Sequence, residues 1–184
     1  MKRNVLSFRH SLIVQYFRID HVERILEMTE KYRKAGVLWS GDLKRGSGIV
    51  STESRALFEH PFTYATRFGD ETGTNPEELI AAAHAACFSM SIADVLAKNG
   101  YDPVRTDTTA TCIMTSGEEG TKITMMQIHI RAEVPGVDED TFQKMILEAD
   151  EKCPVSNLLR NGLEIQIDAT LLQDDSYRAN APHR

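Results

Sequence analysis

From Gly36 onward, short β-prone pieces alternate with turns: Val37-Leu38-Trp39-Ser40-Gly41, Ser47-Gly48-Ile49-Val50-Ser51-Thr52 and Phe62-Thr63-Tyr64-Ala65, separated by residues bearing Gly, Asp and Ser. This pattern predicts a β-meander. A helix start follows at Asn75-Pro76-Glu77-Glu78. Asn75 can accept from the first unpaired N–H groups, Pro76 fits the first helical position, and two carboxylates complement the dipole. The helix is predicted from residue 76 to about Asn99-Gly100, where glycine ends it. Leu79, Ile80, Ala83, Cys87 and Met90 give it broad apolar coverage, so it reads as a central, mostly buried helix with room for a partner helix against its small side chains. A second β region is predicted over residues 106–114 and 122–134, turning through Gly117-Glu118-Glu119-Gly120, and the alternation Met126-Gln127-Ile128-His129-Ile130-Arg131 is that of a half-buried strand. Residues 138–151 return to helical spacing, with Phe142, Met145, Ile146 and Ala149 on one face, and Cys153-Pro154 ends that helix. A last strand is predicted over residues 163–172. The order is that of an α+β domain.

The ends read differently. Residues 1–27 place Arg9, His10, Arg18, His21 and Arg24 among the apolar positions before any face can be sustained, although helical spacing recurs from about residue 20 to 34. They are expected to be an extension ahead of a start at Met28, with the domain at residues 28–173 and a disordered tail at 174–184. With 184 residues, 41% hydrophobic and 26% charged, the chain has the composition of one soluble globular domain. A net charge of −6 argues against nucleic acid or an anionic membrane surface as partner. No run of about 18 apolar residues predicts a membrane span, and the longest aliphatic run near the N-terminus, Leu12-Ile13-Val14, is too short for a cleavable signal.

Cys87, Cys112 and Cys153 are too few and too widely spaced for a secreted disulfide framework, and no C-x-x-C pair suggests a zinc ribbon; a reducing, cytoplasmic setting is expected. Cys87 lies about three turns into the central helix, beyond the reach of its N-terminal dipole, so a reactive thiol there needs a neighbouring cation. By position alone it reads equally as a small buried hydrophobe. Cys153 stands at a helix end beside a proline. The two could serve as attacking and resolving thiols only if the fold brings them together, which a separation of 66 positions does not reveal. Cys112, on a strand, reads as a bystander. His84, three residues before Cys87, reads as a hydrogen-bonded core histidine, because a metal site would need two further ligands.

The stretch GTNPEELIAAAHAACFSM, with WSGDLKRGSGIVSTES before it and EVPGVDEDTFQKMILEADEKCPVSNLL after it, resembles the OsmC branch of the OsmC/Ohr peroxidase family over roughly residues 28–172. The resemblance implies an OsmC-like fold, an intertwined homodimer, and reduction of organic hydroperoxides, with hydrogen peroxide a poorer substrate. It implies that Cys87, in the AACF motif, is the peroxidatic cysteine and Cys153, in CPxS, the resolving one. It assigns the family's arginine to Arg45 and its glutamate to Glu77. No cofactor is implied; an external dithiol, such as dihydrolipoyl groups on a carrier protein, is the implied reductant. A non-catalytic redox-sensing or ligand-binding module on the same fold is the alternative.

These roles make chemical sense. A guanidinium close to a thiol favours the thiolate and stabilises charge on the cleaved peroxide, while Glu77 can hold that guanidinium bidentately. Yet Glu77 and Cys87 are ten residues apart, about 15 Å along a straight helix. Either the helix breaks, or an antiparallel copy from a second subunit brings its Glu77 to this Cys87.

Overall fold

The computed structural model describes residues 29–118 and 120–172. The expected extension, the expected tail, and residues 20–28 of the stretch with helical spacing lie outside these, and residues 29–34 carry no helix. The described residues fall into two units. The smaller comprises residues 29–36 and 51–58; the Glu53 N–H donates to the Lys34 carbonyl at 2.9 Å, and the Arg55 guanidinium lies 4.5 Å from the centre of the Phe58 ring.

The larger unit, residues 37–50 and 59–172, begins with the predicted meander. Strands β1 (Ala35–Ser40), β2 (Ser47–Thr52) and β3 (His60–Thr63) lie in the order β1-β2-β3. Gly48 sits opposite Phe62, and a Cβ there would come within 2.6 Å of the Phe62 ring and 2.7 Å of the Trp39 ring. Glycine therefore lets these two rings, 5.4 Å apart, close over the strand. The third strand stops earlier than its β-prone residues suggest. Thr63 accepts from the Thr66 N–H at 3.2 Å while its own N–H donates to Thr66 Oγ1 at 3.0 Å, a reciprocal capping box that starts the short helix α1 (Tyr64–Phe68).

Helix α2 runs unbroken from Pro76 to Lys98, within a residue or two of the prediction. Asn75 Oδ1 accepts from the Glu78 N–H at 2.8 Å, and Gly100 takes a positive φ of 82° just past the end. Its buried face differs from the predicted one: Ala81, His84, Phe88, Ile92, Val95 and Leu96 are buried, whereas Ala83 is exposed and Met90 is 75% exposed. The helix is apolar almost all round, so periodicity could not select the face. By length and composition it could cross a membrane, contrary to the sequence expectation. Here its inner side forms part of the core.

That core is completed by the second sheet, order β4-β5-β6. Strands β4 (Arg105–Gly117) and β5 (Gly120–Glu133) form an antiparallel hairpin, and β6 (Glu164–Leu171) returns parallel to β5 after α3 (Glu139–Lys152) and α4 (Pro154–Leu159). Met126, Ile128 and Ile130 point inward while the residues between them point out, as the alternation predicted. They meet Phe88, Ile92 and Leu96 of α2 and Phe142, Ile146 and Ala149 of α3. Each fully buried large side chain contributes roughly 1.5–3 kcal/mol, enough to hold α2 and α3 rigidly where the cysteines sit.

Candidate active site

Cys87 projects half-buried from the middle of α2, and Cys153, fully buried, joins α3 to α4 as the cap of both. Packing of α2 on α3 and α4 places the two thiols close enough to act on each other's ionisation, both as free cysteines. The two are not electrostatically alike. Burial pushes the Cys87 thiol up, the Val155 N–H works against it, and Cys153 adds to the rise. Burial also acts upward on Cys153, but donation from the Ser156 N–H, the Ser156 hydroxyl, Cys87 and the Val155 N–H outweighs it and brings that thiol down. Ser156 N lies 3.5 Å from Cys153 Sγ.

Ser156 is itself held from α2. His84 Nε2 lies 2.8 Å from Ser156 Oγ, and both residues are wholly buried. Burial lowers the His84 pKa; the Asp150 carboxylate raises it and Arg160 lowers it further. Those two charges are paired with each other at 2.7 Å. The expected hydrogen-bonded core histidine is thus present, and its partner is the serine of the CPxS motif. Among the described residues, no group of three or more His, Cys, Asp or Glu could hold a metal ion.

At the other end of α2, Glu77 is 7% exposed and carries a guanidinium, but not the expected one. Arg67 of α1 donates from Nε to both carboxylate oxygens at 3.2 Å and from Nη2 to Oε1 at 2.7 Å. Arg45 instead lies in the β1–β2 turn, its side chain 88% exposed, donating from Nε to its neighbour Asp42 at 2.7 Å. The Arg45–Glu77 pairing expected from the sequence is therefore corrected to Arg67–Glu77. The cause is local: Asp42 Oδ1 accepts the N–H groups of Lys44 and Arg45, which folds the Arg45 side chain back on its own turn. Beside Arg67, an aromatic cleft of about 270 Å³ is lined by Trp39, Phe62, Tyr64, Phe68 and Pro76. The Cys112 thiol is pushed up by burial and then by Glu77. Among the described residues, none of the groups acting on Cys87 is a cation.

Residues 69–168 match the model of a family described as OsmC-like protein. The chain is 45% identical over 140 residues to the peroxiredoxin OsmC of Escherichia coli, covering 76% of this chain and 96% of that one. The chain belongs to the OsmC family. The organic hydroperoxide resistance branch is more distant: the organic hydroperoxide resistance protein-like 1 of Staphylococcus saprophyticus is 26% identical over 127 residues, 68% of this chain and 89% of that protein. Among solved structures, a putative organic hydroperoxide resistance protein from Vibrio cholerae, with captopril bound in one of its active sites, superposes with a TM-score of 0.59 at 26% identity, covering 79% of this chain and 96% of that one.

Within this OsmC-family domain, two polar groups of the site escaped the sequence reading. Arg67 was hidden because Phe62-Thr63-Tyr64-Ala65 reads as strand; the Thr63-x-x-Thr66 spacing was the signal for a helical turn. Ser156 stood in view in Cys153-Pro154-Val155-Ser156, but its pairing with a histidine 72 positions away exists only in the folded chain.

Proposed function

We propose that this chain is a thiol-dependent peroxidase that reduces organic hydroperoxides to alcohols through a Cys87 sulfenic acid resolved by Cys153. The observation that carries this reading is the proximity of the two free thiols, each acting on the other's ionisation, one half-exposed and one buried. Cys87 thiolate attacks the outer peroxide oxygen; the O–O bond breaks, the alkoxide takes a proton and leaves as alcohol, and Cys87 keeps the hydroxyl as sulfenic acid. Cys153 sulfur then displaces that hydroxyl as water and closes the disulfide, ahead of over-oxidation. No prosthetic group takes part in these steps. The aromatic cleft beside Arg67 suits the organic part of such a peroxide.

Activation of Cys87 is drawn from a second subunit. The α2 helix is unbroken, so its own Glu77 stands about 15 Å away along the axis. Ala83, Ala86, Met90 and Ala97 leave an exposed apolar face on α2 next to Cys87, which supports an antiparallel copy packing there. That copy's Arg67–Glu77 pair would then supply a cation, which the described residues of its own chain do not bring to Cys87. The protein works as a cytoplasmic homodimer, and an external dithiol such as a dihydrolipoyl carrier regenerates it.

Steady-state assay with an alkyl hydroperoxide and dihydrolipoamide tests the reading. Sustained turnover, abolished by Cys87→Ser, is expected. A single oxidation that then stops even with dithiol present would instead favour a redox sensor on the same fold, and steady turnover by the Cys87 variant would remove the assignment.

A further inference from the structure

The proposed chemistry leaves unused the link between His84 and Ser156, two wholly buried residues whose Nε2 and Oγ atoms lie 2.8 Å apart. Among the described residues, it is the only side-chain hydrogen bond between nitrogen or oxygen atoms that joins α2 to α3 or α4. Its two ends stand one turn from the two reactive thiols. His84 is three residues before Cys87 on α2, about 4.5 Å along the axis. Ser156 is three residues after Cys153, and its backbone N lies 3.5 Å from Cys153 Sγ. Cys87 packs against the core cluster that contains Cys153, so the link runs beside the pair of cysteines from one helix to the other.

The corner that carries Cys153 is braced on its remaining sides. Cys153 caps both α3 and α4, and Pro154 restricts the backbone that follows. Asn157 Nδ2 donates to the Glu151 carbonyl at 2.8 Å, and Arg160 Nη2 donates to the Asp150 carboxylate at 2.7 Å. These bonds fix α4 on α3, but neither reaches α2. Apolar packing against α2 is non-directional, whereas a hydrogen bond holds only over a narrow range of distance and angle. The His84–Ser156 bond therefore sets where the Cys153 corner sits along α2.

We infer that His84 and Ser156 are positioning residues for disulfide formation: their hydrogen bond holds the Cys153 corner in register with Cys87 and raises the effective concentration of one thiol at the other. The inference rests on the Cys87–Cys153 disulfide of the proposed cycle. In that step Cys153 sulfur attacks the sulfenic sulfur of Cys87. The S–S bond forms, the S–O bond breaks, and the hydroxyl leaves as water with the Cys153 proton. A thiol already in register closes the disulfide before a second peroxide reaches Cys87. His84 and Ser156 are buried away from the peroxide and act through the placement of Cys153.

Loss of the link frees the reduced chain to populate arrangements with the thiols out of register, whereas in the oxidised chain the disulfide itself holds the corner. Disulfide formation then weakens by the fraction of reduced molecules that remain in register. A contact that merely holds the fold together stabilises both forms alike and leaves this equilibrium unmoved.

The test is the thiol–disulfide equilibrium of the full chain carrying Cys112→Ser, set by glutathione buffers and read by intact mass after alkylation. One oxidised glutathione converts the two thiols to the intramolecular disulfide and yields two reduced glutathiones, so no peroxide is needed. Ser156→Ala and His84→Leu should each lower the equilibrium constant about five- to tenfold, the weight of one buried hydrogen bond. That change raises the reduction potential by about 20–30 mV. His84→Gln, whose terminal amide can bond Ser156 from the place of Nε2, should restore the constant to within about twofold. Ser156→Ala deletes a single oxygen and carries the test where His84→Leu loses its near-UV circular dichroism. A constant unmoved by Ser156→Ala, or lowered as much by His84→Gln as by His84→Leu, overturns the inference. Failure of the Cys112→Ser protein to form any intramolecular disulfide overturns it together with the peroxidase reading. A shifted equilibrium in a protein that does not turn over peroxide removes that reading and upholds the positioning role.

Discussion

Replacing Arg67 by alanine should destabilise the domain in a way that removing Glu77's charge then repairs. Three N–H···O contacts at 2.7–3.2 Å would be lost, and a carboxylate only 7% exposed would be left without its cation. A fully buried broken pair costs about 3–5 kcal/mol and an exposed one at most about 1 kcal/mol. The Arg67 side chain is 35% exposed, so water partly screens the loss and about 2 kcal/mol is expected. Loss of the guanidinium from the Phe68 ring, 4.9 Å below it, adds about 0.5 kcal/mol. Together these lower Tm by roughly 5–10 °C for a domain of this size. Arg67→Ala combined with Glu77→Gln has no buried charge to strand, so the double variant should recover about 1–2 kcal/mol relative to the sum of the singles. Urea unfolding of the four proteins at one pH measures the cycle. Additive losses, or an Arg67→Ala cost below about 0.5 kcal/mol, would show that Arg67 and Glu77 are not a coupled buried pair.

Cys153→Ser should allow about one turnover and leave Cys87 as a sulfenic acid that over-oxidises, read by intact mass after dimedone capture, whereas Cys112→Ser should keep near-normal activity. His84 gives a stability signature in pH. Its folded pKa is lowered by burial, so its contribution is present above the unfolded value of about 6.5 and is lost as pH falls through the lowered folded value. Urea midpoints taken from pH 8 down to 5 should fall through that window, and His84→Gln should remove this part of the slope.

Local signals made α2 legible to within a residue or two, because Asn75, Pro76 and Gly100 each act on the backbone next to them. The face it buries was not legible, since alanines on every side erase the contrast on which periodicity depends. Residue type misled at Thr63: Phe, Thr and Tyr fit a strand, but a reciprocal hydrogen bond with Thr66 outweighed that preference and turned Arg67 toward Glu77. Six-residue α4 offered too few positions for any period to register. The cysteines were identified by motif, while their proximity, and the His84–Ser156 link behind it, arise from packing α2 on α3 and α4.

A site assembled from Cys87 and Cys153 of one chain and Arg67–Glu77 of another can be tested by subunit exchange. Inactive Cys87→Ser protein is mixed with inactive Glu77→Gln protein, exchange is verified by mass, and alkyl hydroperoxide turnover is followed. In a twofold-symmetric dimer with shared sites, one site of each heterodimer carries both substitutions and the other neither, so activity should return to about half the wild-type value per heterodimer. Verified heterodimers that stay inactive would contradict the shared site, because each site would then hold one defect drawn from its own chain.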